Sequence, residues 1–361
     1  HKFYAIENNK PEYLTSIAKF THLWILKKGN WKLSRGLSYN HNDVEKPIDK
    51  TLLFKDKNET ERWLKQKNIP ALGIGYIENG KIKQISVFGE LEKNKKAPKN
   101  TIWNVASLTK PIVTLITLKL INSGDWNLDK PIYKYWIDPD VKNDKRHKTL
   151  TTRHILSHQT GFSNWRYTDE KSQKLKFHFN PGTQYQYSGE GFEYLKKALE
   201  KKFKCPIEKL ADSLIFKPLK MKDTRFYWDK KMDESRFAKW HTKRGGEIYP
   251  TKKHNTASAA DDLLTTIEDY TKFIAHILNG ANLSESLQKE IPKEQVKINP
   301  YKHWGLGFWV DNNINSQGDF AMVHGGDDIG VHTIAFMVPK TKRGLIIFTN
   351  SDNGPQAFQE V

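Results

Sequence analysis

Cysteine is almost missing from this chain. Cys205 stands alone among 361 residues, so no intrachain disulfide can staple the fold and no cysteine-rich metal site can form. A small buried apolar side chain is the plainest reading of it. Long apolar runs are missing as well. None approaches the roughly 18 uncharged residues that a membrane helix needs. There is no Gly-x-Ser-x-Gly elbow, which argues against an α/β-hydrolase, and no Walker-type glycine loop to cradle a phosphate. His154 and His158 have the four-residue spacing of a zinc pair, but no His-Glu-x-x-His accompanies them and no third ligand is evident. They are read as structural. No metal and no organic cofactor is expected.

Negative charge is in the minority, with 41 Asp and Glu against 59 Lys and Arg, a net charge of +18. Such an excess can mark a nucleic-acid binder. Here, however, the lysines are scattered among acids, as in "EKNKKAPKN" and "DKKMDESRFAKW", and form no helix-long basic stripe. Solvated loops, or loose attraction to anionic cell-envelope polymers, account for the charge better. No nucleic-acid partner is expected. The two ends, "HKFYAIENNK" and "NSDNGPQAFQEV", read as limits of a fragment, so no cellular address is taken from them.

The length suffices for a large core and two or three structural units. Alternating apolar runs flank Lys28-Gly29-Asn30 in "FTHLWILKKGNWKLSRGLSYNH", a hairpin signal. A polar stretch around Pro47 reads as a linker. A second hairpin turns at Asn79-Gly80, and "TIWNVA" is a further short apolar run. Helical periodicity then takes over in "SLTKPIVTLITLKLINSG", "TTRHILSH", "GEGFEYLKKALEKKF", "CPIEKLADSLIF" and "TTIEDYTKFIAHILNG". Strand character returns in "WGLGFWV", "DFAMVHGG", "VHTIAFMVP" and "RGLIIFTNS". The order predicts one antiparallel sheet interrupted by a long helical insertion.

Ser-x-x-Lys occurs at Ser16/Lys19, Ser107/Lys110 and Ser286/Lys289. Only Ser107/Lys110 falls where a strand hands over to an apolar helix. A serine there meets unpaired backbone N–H groups and the positive end of the helix dipole. Lys110 lies one turn on, on the same face, within reach of the hydroxyl. Pro111 costs little in a first turn. Ser107 is thus a candidate nucleophile and Lys110 its activating partner, because a free serine hydroxyl is a weak nucleophile at neutral pH.

With "ASLTK" followed in order by "LTTRHILSHQTGFSNW", "PGTQYQYSGEGFEYL", "LKMKDTRF", "ASAADDLLTTIEDYTKFIAHILNG" and "MVHGGDDIGVHTIAFMVPKTKRGLIIFTN", residues 65 to 355 resemble the serine β-lactamase and penicillin-binding-protein superfamily. The likeness is to the branch shared by class C β-lactamases, D-Ala-D-Ala carboxypeptidases and related esterases. The resemblance implies an α+β fold, three layers (α/β/α) with an antiparallel sheet and an inserted all-helical domain. It also implies Tyr187 as the phenolic partner in proton transfer, with Tyr185 a weaker candidate. Backbone N–H groups of Ser107 and Asp327 would form the oxyanion hole. Ser188, Gly189, His324, Gly325, Gly326 and Asp327 would bind substrate. Whether Lys110 or Tyr187 is the base is a shared-proton question that stays open.

Two positions depart from the family pattern. Gly189 stands where Tyr-x-Asn has asparagine, and His324-Gly325-Gly326 replaces the Lys-Thr-Gly of β-lactamases, as in some esterase and peptidase members. Ser351-Asp352-Asn353 copies another motif of the superfamily but follows the last strand, so it is read as a turn. Trp165, Trp304 and Trp309 could line an apolar pocket.

The expected layout is a hairpin and linker over 1–48, resembling the tail of an NTF2-like domain, and a hydrolase domain over 49–361. Within the latter, 49–106 and 303–361 would form the sheet and 107–302 the helices. The implied function is a serine hydrolase that cleaves small esters, amides or peptides, cell-wall-derived ones included, through an acyl-enzyme. A true β-lactamase or carboxypeptidase is the alternative within enzymes, and a catalytically idle binding module the alternative outside them. The resemblance implies a periplasmic or cell-surface location.

Overall fold

The computed structural model describes the chain apart from residues 6–11, 44–46, 169–171 and 361. It divides into two compact units, His1–Trp63 and Leu64–Val361. The first holds a three-stranded antiparallel sheet in the order β1 (Lys2–Ala5), β2 (Tyr13–Lys27) and β3 (Asn30–Asp43). Lys28 and Gly29, with φ of 52° and 77°, make the left-handed turn that the hairpin needs. Strand β1, which the sequence patterning did not mark, pairs with the start of β2. Part of the expected linker, residues 44–46, lies outside the described residues. Its far end leads into an unanticipated helix, α1 (Lys57–Gln66), whose start is capped by the Asp56 carboxylate accepting from Glu59 N at 2.8 Å.

In the second unit, β4 (Ala71–Glu78), β5 (Lys81–Glu92) and β6 (Lys95–Lys96) come first. A short strand β7 (Ile102–Asn104) leads to the helices α2 (Thr109–Asn122), α3 (Thr152–Leu156), α4 (Gly189–Phe203) and α5 (Ile207–Ala211). After β8 (Leu264–Thr266) come α6 (Ile267–Leu278) and α7 (Glu285–Glu290), then β9 (Val296–Asn299), β10 (Lys302–Trp304), β11 (Trp309–Asp311), β12 (Ala321–Asp328), β13 (Val331–Val338), β14 (Arg343–Thr349) and the short α8 (Pro355–Phe358). The strands form a nine-stranded sheet in the order β6-β5-β4-β14-β13-β12-β11-β10-β9, while β7 and β8 pair apart from it.

The junction between the early and late strands is β4 against β14, from Leu72 opposite Thr349 to Ile77 opposite Gly344. One antiparallel sheet is thus closed across a long helical insertion, and the α+β reading holds. The late strands begin at Val296, ahead of the anticipated 303, because β9 and β10 form a hairpin. Helix α6 packs on β4, β5, β13 and β14.

Helix α2 is the centre of the helical part and packs against α4 and α5. It is apolar nearly all round and every residue from Thr109 to Leu118 is buried, as expected for a helix with neighbours on every side. Lys110 is the exception in chemistry, a cation with no solvent exposure. A buried ammonium needs a reason.

Candidate active site

Ser107 sits in a tight turn, Ala106–Leu108, that runs from β7 into α2. The chain enters it through Ala106, whose φ of 46° lies in the left-handed region. That conformation is costly for a residue with a Cβ, and three contacts hold it. Asn104 Oδ1 accepts from Ala106 N at 2.8 Å, Thr109 Oγ1 donates to Ala106 O at 2.7 Å, and Leu263 N donates to Thr109 Oγ1 at 3.0 Å. On the sheet side, Thr333 Oγ1 donates to Val105 O at 3.0 Å. A Cβ on Gly326 would come within 2.2 Å of that same carbonyl. Only glycine lets β12 run this close to the serine turn.

Lys110 Nζ lies 2.8 Å from Ser107 Oγ and 2.7 Å from Ala260 O. Burial draws the Lys110 pKa down to about 8, against the opposing pull of Asp261 and Glu193. Burial in turn pushes the Asp261 carboxyl well up. Burial holds the Tyr187 phenol well above the usual range, against the opposing pull of the Ser107 hydroxyl. The Lys110 ammonium stands 4.8 Å above the Tyr187 ring. Serine, lysine and tyrosine therefore meet, though they come from the turn before α2, from α2 itself and from the segment before α4.

Two imidazoles frame the tyrosine. His158 stacks on Tyr187 at 4.2 Å between centroids, and its Nδ1 accepts from Ser188 N at 3.0 Å. His154 Nδ1 accepts from Thr151 N at 3.3 Å within a capping box. Each histidine of the zinc-like spacing thus gives its Nδ1 to a backbone N–H group. His324 is 1% exposed, and its Nδ1 is 2.8 Å from the Gly325 carbonyl. A carbonyl only accepts, so Nδ1 carries the hydrogen and Nε2 is left with its lone pair. No hydrogen-bond partner reaches that Nε2 among the described residues. Burial, with Lys110 nearby, lowers the His324 pKa to about 3. The third motif therefore carries a neutral, buried imidazole where a lysine would carry a charged donor.

These groups open on a cleft of about 720 Å³ lined by Ser107, Asn164, Tyr185, Tyr187, Trp304, Trp309, His324, Gly325, Gly326 and Asp327, among others. The Asp327 carboxylate pairs with His332 Nδ1 at 3.1 Å. Trp304 and Trp309 are wall residues with their indole N–H groups tied to Leu156 O and Asp311 Oδ2.

Several expected residues lie elsewhere. Ser188 is fully buried and does not reach the cleft: its Oγ accepts from Gly191 N and donates to Ser163 O, which makes it the N-cap of α4. Gly189 likewise lies behind the wall, with its N–H given to Asn164 Oδ1 at 2.8 Å. Trp165 packs against Gly189 and stacks on Tyr167 instead of lining the cleft. Asp352, in the turn after β14, accepts from Gly330 N and the Tyr249 hydroxyl. Sequence reasoning passed over Asn164. The only local hint was a polar residue near the end of the matched segment "LTTRHILSHQTGFSNW".

Residues 52–360 match the Beta-lactamase family. The protein flp of Staphylococcus aureus (strain MW2) is 23% identical over 340 residues, which cover 86% of this chain. The match spans 64% of that relative's own length, less than two thirds of it. Esterase EstB of Burkholderia gladioli is 27% identical over 163 residues, 37% of this chain and 41% of the esterase. Among solved structures, the octameric penicillin-binding protein homologue from Pyrococcus abyssi superposes with a TM-score of 0.70 at 19% identity, covering 83% of this chain and 74% of that one. A D-stereospecific amidohydrolase from Streptomyces sp. superposes with a TM-score of 0.66 at 21% identity, covering 84% and 97%. At these identities the two structures speak for the fold alone.

Proposed function

The chain belongs to the beta-lactamase family, and from that premise we propose that it is an active-site-serine hydrolase that works through an acyl-enzyme and favours uncharged esters. The observation that carries this reading is the 2.8 Å contact between Ser107 Oγ and the buried Lys110 Nζ. A lysine held near pKa 8 keeps an appreciable neutral fraction at physiological pH, unlike one at the ordinary value near 10.4. Neutral Nζ takes the hydroxyl proton as Ser107 Oγ bonds to the substrate carbonyl carbon. The carbonyl π pair moves onto oxygen, where the backbone N–H groups of Ser107 and Asp327 stabilise it. Collapse of the tetrahedral intermediate breaks the bond to the leaving group, which takes its proton from the Lys110–Tyr187 pair. Water then attacks the acyl-enzyme by the same route and frees Ser107.

The relative named an esterase supports ester carbonyls as the class. The neutral His324 supports substrates with no carboxylate beside the scissile bond. Labelling with a fluorophosphonate, followed by peptide mapping, tests the reading. Adduct on the peptide bearing Ser107 is the expected result. Adduct on another serine, or none at all while p-nitrophenyl esters are still hydrolysed, would remove Ser107 as nucleophile.

A further inference from the structure

A cavity distinct from the catalytic cleft shares α2 and β12 with it, and none of the groups assigned to the chemistry lines it. It holds about 480 Å³, inside the roughly 300–1,000 Å³ range of small-ligand pockets. Its wall on the helical side is the stripe Pro111, Thr114, Leu115 and Leu118, spaced i, i+3, i+4 and i+7 along α2. On the sheet side stand Met322 and Met337, directly opposite each other on β12 and β13. Phe308 adds an aromatic ring, and all of these side chains are buried.

Close-packed interiors rarely spare a space of this size. Water is a poor occupant for it. A buried water needs about two to four polar partners, and the inner wall offers hydrocarbon, thioether and ring carbon. Thr114 is the only polar side chain among the buried lining residues, and its hydroxyl is shielded. Charge stands only at the mouth, where Glu285, Lys289 and Lys342 are exposed. Lys289 is taken up by Glu285. Lys342 meets a neutral oxygen, Asn279 Oδ1 at 3.4 Å, and among the described residues no acid pairs with it. A deep apolar space with one unpaired cation at its entrance matches a molecule with a hydrocarbon chain and an anionic head.

We propose that this cavity is a binding site for a medium-chain, unbranched carboxylate, with the chain between α2 and the β12–β13 hairpin and the carboxylate at Lys342. The site is separate from the catalytic cleft, and its occupancy does not depend on Ser107. Each methylene that enters exchanges water for an apolar wall, which is worth about fourfold in affinity. The two sites nevertheless share structure. Pro111 directly follows Lys110 on α2, and Met322 stands two residues before His324 on the same face of β12. The Phe308 ring is edge-on to His324 at 6.4 Å between centroids. A chain held in the cavity therefore packs against the elements that carry the catalytic groups.

Titration calorimetry with octanoate, nonanoate, decanoate and the neutral decanol tests the site in wild type, Leu118→Trp, Lys342→Asn and Trp309→Ala. Leu118→Trp puts an indole into the cavity. Lys342→Asn removes the charge at the mouth, and asparagine accepts the left-handed φ of 49° found there, so this exposed variant folds even if Leu118→Trp does not. The expected result is that wild type binds decanoate more tightly than decanol, with Kd rising roughly fourfold for each carbon removed. Lys342→Asn should lose the preference for the carboxylate and keep the dependence on chain length. Leu118→Trp should bind neither ligand, and Trp309→Ala, altered in the catalytic cleft, should bind decanoate as wild type does. No binding of decanoate to wild type, an affinity indifferent to chain length, a carboxylate preference that survives Lys342→Asn, binding that survives Leu118→Trp, or binding that is lost in Trp309→Ala would each overturn the site.

Discussion

The carbonyl oxygen of Ala260 accepts a 2.7 Å hydrogen bond from Lys110 Nζ, which anchors the only charge on a buried helix face to the residue just before Asp261. As the proposed base, Lys110 would act only when neutral, and burial has drawn its pKa down to about 8. The kcat/KM for an uncharged ester should therefore rise with pH through a midpoint near 8, since that ratio reports the free enzyme. Asp261 opposes the shift by favouring the ammonium. Asp261→Asn should move the ascending limb to lower pH. A limb that stays in place or moves upward would show that the titrating group is not Lys110.

Ser107→Ala should abolish turnover of p-nitrophenyl butyrate and leave the melting temperature close to wild type, because the lost hydroxyl bonds only within the site. Ser286→Ala is the control: Lys289 of that copy pairs with Glu285 rather than with Ser286, and full activity is expected. Ser16→Ala, on β2 of the other unit, should also be active. Retention of substantial activity by Ser107→Ala after mapping for contaminants would cancel the nucleophile assignment.

Restoring the family residue in the second motif should harm the protein rather than broaden it. Gly189→Asn places a Cβ 2.9 Å from Trp165 and presses on the Asn164 carbonyl. Overpacking of this kind costs about 1–3 kcal/mol, enough to lower the melting temperature by several degrees, and esterase activity should drop with it. A variant of unchanged stability with higher activity on β-lactams would mean that Trp165 moves aside freely.

How much of this was legible beforehand depended on whether the signal was local. The turn at Asn79-Gly80 was readable, since both residues adopt the left-handed φ, 52° and 71°, that such pairs favour. Ser107/Lys110 could be picked from three copies because a strand-to-helix handover is itself a local pattern. Ser188 was misplaced for an equally local reason. It is extended, with φ of −144°, so its side chain points opposite to that of its neighbour Tyr187, and adjacency in sequence put it on the wrong side of the wall. Asn164 was out of reach, because its meaning comes from Gly189, 25 residues away. The neutrality of His324 was half-visible. Its ordinary pKa already suggested it, but the burial that secures it is a property of the packed Phe308, Trp304 and Trp309 rings around it.

That neutrality bears most directly on substrate choice. β-Lactams such as nitrocefin carry a carboxylate next to the scissile amide. A third-motif lysine would give it a charge-assisted hydrogen bond, worth roughly 1.5–3 kcal/mol. His324 has instead a buried Nε2 lone pair, which a carboxylate oxygen cannot use, and burial with Lys110 nearby lowers its pKa to about 3, so it is uncharged near neutral pH. An uncharged ester forfeits nothing. The expected outcome is measurable kcat/KM for p-nitrophenyl butyrate and a value for nitrocefin lower by roughly ten- to a hundredfold, with the gap unchanged between pH 6 and pH 8 because His324 does not titrate there. The His324→Lys variant should raise the nitrocefin-to-butyrate ratio. Its ammonium would stand near Lys110, whose pKa should fall further, so the ascending limb of the ester profile should move to lower pH in the same variant. A wild type that prefers nitrocefin, or a gap that narrows as the pH is lowered to 6, would overturn the neutral-histidine argument and restore the β-lactamase alternative.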